Sequence, residues 1–221
     1  MSVVIRRAIL IGVPTVAALL GCGSWASGSS LIGDESESTG QTGAGFTAAA
    51  AYAFQGGNLG LITIVITNDT APAIGGYLTG FLFNIDSSDP EFALSLMSAP
   101  SIYWLDAAGS DALPFGGPYM GGAATFGSWN GTGPADVGLA AGATGVFEFE
   151  FEASDAAQLT DMDIGVGPFD RDFVARFRGL SGGRTDKVPA GPPSHEVPGP
   201  GAALIGALAG GLLLQRRRRA H

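Results

Sequence analysis

The residues of this chain that could do chemistry are carboxylates. Glu148, Glu150 and Glu152 occupy alternate positions, so a strand would place them on one face with neighbours about 6.6 to 7 Å apart. Paired carboxylates at such a spacing can hydrolyse glycosides. Phenylalanines fill the positions between them, a pattern typical of a half-buried strand with a solvated face. We interpret the glutamates as that solvated face, and a hydrolase that uses only carboxylates is the least favoured alternative.

Other kinds of catalytic site lack their residues. The histidines are His195 and His221, both close to the C-terminus, the one cysteine is Cys22, and the one lysine is Lys187. A Ser-His-Asp or Cys-His constellation, a zinc site of Cys and His, and a phosphate-binding loop ending in Lys-Ser or Lys-Thr therefore cannot be built in the middle of the chain. We predict that the protein is not an enzyme.

A second group of acidic residues raises the question of a metal ion. This group consists of Asp161, Asp163, Asp170 and Asp172. Carboxylate oxygens are hard ligands that suit calcium, but the spacing does not match an EF-hand loop. We therefore predict no cofactor and no metal site, with a surface calcium ion as the alternative.

Aromatic residues between positions 103 and 129 allow two interpretations. They are Tyr103, Trp104, Tyr119, Phe126 and Trp129. Aromatic rings can stack on sugars, but they also fill the cores of β-sandwiches. The core is the first interpretation, and a carbohydrate-binding module of the cell envelope is the alternative function.

The elements that would position these side chains are strands. Alternation of apolar and polar residues recurs along the chain, bounded by Gly, Pro, Asn and Asp. It covers 46–54, 61–67, 77–85, 146–152 and 173–177, with shorter candidates at 92–97 and 102–105. The glycine-rich stretch 107–145 is predicted as long loops with one or two further strands. Together these segments predict an all-β fold, an antiparallel β-sandwich of jelly-roll-like form.

The N-terminus has the features of a secretory signal peptide. Arg6 and Arg7 precede an apolar stretch over residues 8–20, and cleavage after Ala26 would follow a small-x-small site. The alternative is lipidation at Cys22, which lies in a sequence similar to a lipoprotein box.

The C-terminus has the features of a membrane-sorting tail. Residues 197–200 read Val-Pro-Gly-Pro, residues 201–214 are apolar or small, and a basic cluster follows at 216–219. As a helix the apolar run would be about 21 Å long at 1.5 Å per residue. That is less than a bilayer core of about 30 Å, which suits a segment that is held briefly and then cut. The positive-inside rule places the arginines in the cytoplasm.

This order of features resembles the PEP-CTERM sorting tail of bacterial exosortase substrates. The matching residues are Val197, Pro198, Pro200, the apolar run, and Arg216, Arg217, Arg218 and Arg219; Gly199 stands where the family has glutamate. Segments 78–86, 173–177 and 186–189 also look like the body of such substrates. The resemblance implies recognition by an exosortase-type membrane transpeptidase and processing close to the Val-Pro-Gly-Pro motif.

These features divide the chain into five parts. They are a signal peptide (1–26), a flexible lead-in (27–45), the β-sandwich (46–180), a Gly/Pro-rich linker (181–196) and the sorting tail with its transmembrane helix (197–221). Six of the 11 basic residues and one of the 20 acidic residues lie before 27 or after 195, which leaves 5 basic and 19 acidic residues and a net charge near −14 between them. Such a charge excludes nucleic acid as a partner.

Together the parts predict an exported protein of the bacterial cell surface. We expect it to be anchored to the membrane before its tail is processed, and to be structural or adhesive in an exopolysaccharide matrix. Exopolysaccharide is the expected partner besides the transpeptidase.

Overall fold

The computed structural model describes residues 29–107, 115, 118–165 and 171–190. These residues form eleven strands and a few single 3-10 turns. The strands are β1 (Ser29–Ile32), β2 (Phe46–Gly56), β3 (Leu59–Asn68), β4 (Tyr77–Phe83), β5 (Ala93–Ser98), β6 (Trp104–Asp106), β7 (Gly121–Thr125), β8 (Leu139–Ala140), β9 (Thr144–Glu152), β10 (Phe173–Leu180) and β11 (Arg184–Pro189).

The strands form two sheets. The first has the order β1-β2-β3-β9-β5, and the second has the order β11-β10-β4-β7-β6, with β8 paired to β4. The pairings between these strands are antiparallel. The predicted all-β fold of two packed antiparallel sheets is therefore confirmed for the described residues.

Strand β9 shows how the alternation in the sequence becomes a core face. Its phenylalanines are buried, whereas the glutamates between them are half-buried or exposed. Phe149 pairs with Ile62 of β3 on one side and with Leu96 of β5 on the other. Because side chains alternate across a strand, this register puts apolar residues of all three strands on the same face.

Aromatic rings join the two sheets. The ring of Phe81 in β4 lies 4.8 Å from that of Phe147 in the first sheet, measured between centroids, and 5.7 Å from that of Phe173 in the neighbouring strand β10. Phe83 packs edge-on against Phe149 at 5.2 Å. Such pairs add about 0.5 to 1.5 kcal/mol each beyond the burial of their area. This layer fixes the position of one sheet on the other.

A second, smaller core covers the outer face of the second sheet. Leu82 of β4 and Val174 of β10 pack there with Tyr119 and Trp129, which come from the glycine-rich part of the chain. That part also supplies β7 and β8. It therefore does contain two strands between loops, as the sequence predicts, and its loops fold back over the sheet.

The folded domain is longer at both ends than the sequence pattern indicates. Strand β1 lies in the segment predicted as a flexible lead-in, and β11 lies in the predicted linker. Leu31 is 1% exposed, and Val188 is fully buried. Both strands are short and have polar neighbours, so their pairing depends on the sheets they join and not on a local pattern.

Backbone hydrogen bonds close the sandwich along one side. Gly33, directly after β1, forms an antiparallel bridge with Ala190, directly after β11. The amide of Asp34 also donates to the carbonyl of Pro189 at 2.8 Å. The edge strands of the two sheets are thus linked at β1 and β11, whereas β5 and β6 are the edge strands on the other side.

Candidate functional site

The three glutamates of β9 lie on the outer face of the first sheet. Glu148 pairs with Thr63, and Glu150 pairs with Leu61 of β3 and Ser95 of β5. Glu150 and Glu152 are exposed and Glu148 is half-buried. Their side chains share a solvated face, as the sequence predicts, and their neighbours across the strands are short or apolar residues that offer no acid or base.

The predicted acidic group is spread over separate hydrogen bonds. Asp161 accepts from the amide of Tyr52 at 2.6 Å, and Asp163 accepts from the amide of Thr160 at 2.6 Å. Asp172 accepts from the side-chain amide of Asn84 at 2.8 Å. Asp170 lies outside the described residues. Within the described part, no three His, Cys, Asp or Glu side chains are grouped so that they could hold a metal ion.

Asp186 of β11 is a buried carboxylate that the sequence does not single out. Its two oxygens accept from the amides of Gly40 at 2.7 Å and Thr42 at 3.1 Å, and from the hydroxyl of Thr42 at 2.7 Å. The hydroxyls of Ser38 and Thr39 add two bonds at 3.2 Å. Burial alone would raise the pKa of Asp186, but these hydrogen bonds together lower it. The carboxylate is structural, because donors of its own chain surround it.

Two further aspartates, Asp89 and Asp155, join two loops. Asp155 accepts from the amide of Ser88 at 2.6 Å and from the hydroxyl of Ser87 at 2.9 Å. In return Asp89 accepts from the amide of Ser154 at 2.7 Å. Burial would raise the pKa of Asp155, but its hydrogen bonds outweigh burial and lower it. These carboxylates, like Asp186, hold segments that are distant in the sequence.

The candidate aromatic residues separate into a buried and an exposed group. Trp104, Tyr119 and Trp129 belong to the two cores, as the first interpretation holds. Tyr103 and Phe126 are 45% and 37% exposed, and their rings lie 5.6 Å apart at an angle of 50°. Of the five candidate aromatic residues, these two could offer their rings to a ligand.

Phe126 has an unusual backbone conformation. Its φ of 59° lies in the left-handed region, which is uncommon for a bulky residue. Its amide donates to the carbonyl of Tyr103 at 2.7 Å, and its ring lies over Gly133, where a Cβ would come within 2.3 Å. These contacts hold the strained conformation and fix the ring beside Tyr103.

An open cleft lies between the edge strands β5 and β6, and Tyr103 lies in the chain between two of its lining residues, Ile102 and Trp104. It has a volume of about 490 Å³ and is lined by residues 96–102 and Trp104. Met97 is 62% exposed and Ile102 is 87% exposed, so the rim is apolar. The surface offers contact area and no titratable group.

Three basic side chains form a cluster on the outer side of β10 and β11. Arg176 and Lys187 are directly opposite each other across the two strands. Nη1 of Arg176 donates to the carbonyl of Trp129. Burial, and then the charge of Arg178, lowers the pKa of Arg176; burial, and then Arg176, lowers the pKa of Lys187.

Arg178 completes this basic cluster. Its Nη1 donates to the carbonyls of Thr132 at 3.3 Å and Gly133 at 3.1 Å. A Cβ at Gly131 would lie 2.8 Å from Nη1 of Arg176 and 2.8 Å from Cδ of Arg178, so both side chains pack on this turn. Sequence patterns alone do not predict the cluster. The one indication in the sequence is that all five basic residues between positions 27 and 195 lie within 171–187.

The residues predicted for export and sorting lie outside the described part of the chain. They comprise Cys22, Ala26, the motif Val197, Pro198, Gly199 and Pro200, and the basic cluster at 216–219. Among the residues that are described, no helix is long and apolar enough to cross a membrane.

Comparison of the chain with known protein families, curated proteins and solved structures finds no match. Its function has to be inferred from the surfaces above and from its terminal segments.

Proposed function

We propose that the protein is an exported component of the bacterial cell surface, structural or adhesive in an exopolysaccharide matrix. The observation that carries this proposal is the order of sequence features at the C-terminus: the motif Val-Pro-Gly-Pro, a short apolar run and four arginines. An exosortase-type transpeptidase is its proposed transient partner, and the tail anchors the chain before processing. The finer fold, jelly-roll-like with a signal helix and a sorting helix at the ends, belongs to the same proposal.

Several aspartates of the folded domain take part in its internal hydrogen bonds. Asp155, Asp161, Asp163 and Asp186 each accept hydrogen bonds from backbone amides, so they stabilise the sandwich. The bridge between Gly33 and Ala190 ties the two ends of the folded domain to each other.

Replacing Arg216, Arg217, Arg218 and Arg219 by serine tests the sorting role. On insertion scales each arginine costs about 2.5 to 3.5 kcal/mol at the bilayer centre, so the four form a strong stop. In the native host we expect the variant to pass partly into the medium, while the unchanged chain stays with the envelope until processed. The control changes one exposed arginine of the folded domain, Arg184, to serine. Equal envelope retention of the two variants would contradict a sorting role for the tail.

The second candidate function is a carbohydrate-binding module, which the exposed Tyr103 and Phe126 favour. Two rings held 5.6 Å apart beside an open cleft form a surface on which sugar rings can stack. If they bind sugar, Tyr103→Ala should release the full chain from neutral polysaccharide columns, and added polysaccharide should quench tryptophan fluorescence of the parent. Phe54→Ala, which removes another exposed ring, is the control. Equal retention of both variants would dismiss this candidate.

A further inference from the structure

Within the described part of the chain, the basic cluster of Arg176, Arg178 and Lys187 has no carboxylate within ion-pair distance. The ion pair found there joins Arg171 and Glu37 instead. The central part of the chain nevertheless carries 19 acidic residues. Like charges that lie together repel each other, so this placement opposes folding unless another requirement keeps it.

The cluster also keeps free donors. A guanidinium has five N–H donors, and among the described residues only Nη1 of Arg176 and Nη1 of Arg178 find acceptors. Nε of Arg176 is buried without a partner in the described part of the chain, which adds a desolvation cost to the cluster but offers no donor to an outside ligand. In the described part of the chain, Lys187 donates hydrogen bonds through its backbone amide and not through its ammonium group, which can therefore donate to a ligand.

We propose that this cluster binds the carboxylates of an acidic polysaccharide, a polymer of uronic acid units. Arginine matches a carboxylate geometrically, and a ligand carboxylate would supply the missing counter-charge. Side chains directly opposite on paired strands lie about 4.5 to 5.5 Å apart between Cβ atoms, and those two apart on one strand about 6.6 to 7 Å. The three cations therefore lie close enough together to contact one ligand chain. This inference rests on the proposed export, because the polysaccharide lies outside the cell.

The net charge of the domain argues for this ligand over nucleic acid. Duplex DNA carries one charge per about 1.7 Å, and a domain with a net charge near −14 repels so dense a polyanion. A polyuronate carries one carboxylate per sugar unit and is therefore less densely charged, so the same net charge opposes its approach less.

Calorimetric titration of the full chain in detergent with an oligouronate tests the proposal. An uncharged oligosaccharide of the same length and a single-stranded oligonucleotide serve as comparison ligands. We expect the oligouronate to bind, the other two not to bind, and added salt to weaken binding. Because the assay needs no export, its result is independent of the sorting experiment.

Three single variants locate the site. Lys187→Gln and Arg178→Gln should each weaken oligouronate binding about tenfold, since each removes a charged hydrogen bond to the ligand. Arg184→Gln makes the same charge change at an exposed residue of β11 and should stay within about twofold of the parent. Lys187→Gln should fold like the parent, because the Lys187 side chain makes no hydrogen bond with the described residues. Failure of the parent chain to bind, equal weakening by Arg184→Gln, or equal binding of either comparison ligand would overturn the proposal.

Discussion

The carboxylate of Asp186 accepts a 2.7 Å hydrogen bond from the hydroxyl of Thr42, although 144 residues separate the two in the chain. This contact ties the segment that follows β1 to strand β11. Asp186 is 1% exposed, and every bond to its oxygens comes from residues 38–42 or from the following amide. The N-terminal part of the domain is therefore held by one charged group near its C-terminal end.

Asp186→Asn should destabilise the fold by about 1 to 3 kcal/mol. The side-chain NH2 group of asparagine would face N–H and O–H donors, and it cannot accept a hydrogen bond from them. The pKa of the folded Asp186 is lowered. Its contribution is thus complete above the unfolded value near 3.9 and is lost as the pH falls through the folded pKa. Urea unfolding between pH 2 and pH 7 should show a shallower acid loss in the variant.

Glu150→Gln is the control for the loss of one negative charge, since Glu150 is exposed on the outer face of β9. An acid profile of Asp186→Asn that matches the parent would show that this carboxylate does not hold the segment.

Phe149→Ala should cost about 3 to 5 kcal/mol, because it leaves a cavity between the sheets where the ring meets Phe81 and Phe83. Glu150→Ala, one residue along the same strand, should change stability by only a few tenths of a kcal/mol. Chemical denaturation of both variants gives the comparison. Similar losses would mean that the assigned faces of β9 are reversed or that the glutamate has a buried role.

Gly122→Ala should destabilise the second sheet by about 1 to 3 kcal/mol, since overpacking forces the backbone to shift. A Cβ there would lie 2.4 Å from the carbonyl oxygen of Phe81 on the adjacent strand. At Gly45 a Cβ meets no atom within 4 Å, so Gly45→Ala is the matched control and should be tolerated. Thermal melting distinguishes the two, and equal melting temperatures would contradict the close approach of β7 to β4.

The sequence predicts those parts of the fold in which one strand carries its own pattern. The phenylalanines of β9 and the isoleucines of β3 alternate strictly, so their inner faces can be read directly. Strand β1 has four residues, and β11 places the buried Asp186 between polar neighbours. Their pairing depends on the bridge of Gly33 with Ala190, a contact between distant residues that no local period reveals.

The candidate site shows the same contrast between local sequence patterns and contacts of distant residues. The solvated glutamates of β9 are visible in the alternation, whereas burial of Trp129 depends on loops that fold over the second sheet. The basic cluster requires the register that sets Arg176 opposite Lys187. Residue types and spacing locate the basic residues in the chain but do not show that three of them share one surface.

The central claim is that the tail sorts this protein to the cell surface and is then removed. The intact mass of the protein isolated from envelopes of its native host tests this most directly. The account predicts a mature chain that lacks the signal peptide, ends near residues 198–201 and contains none of the arginines at 216–219. A mass that includes the complete tail would contradict processing and leave a plain membrane anchor.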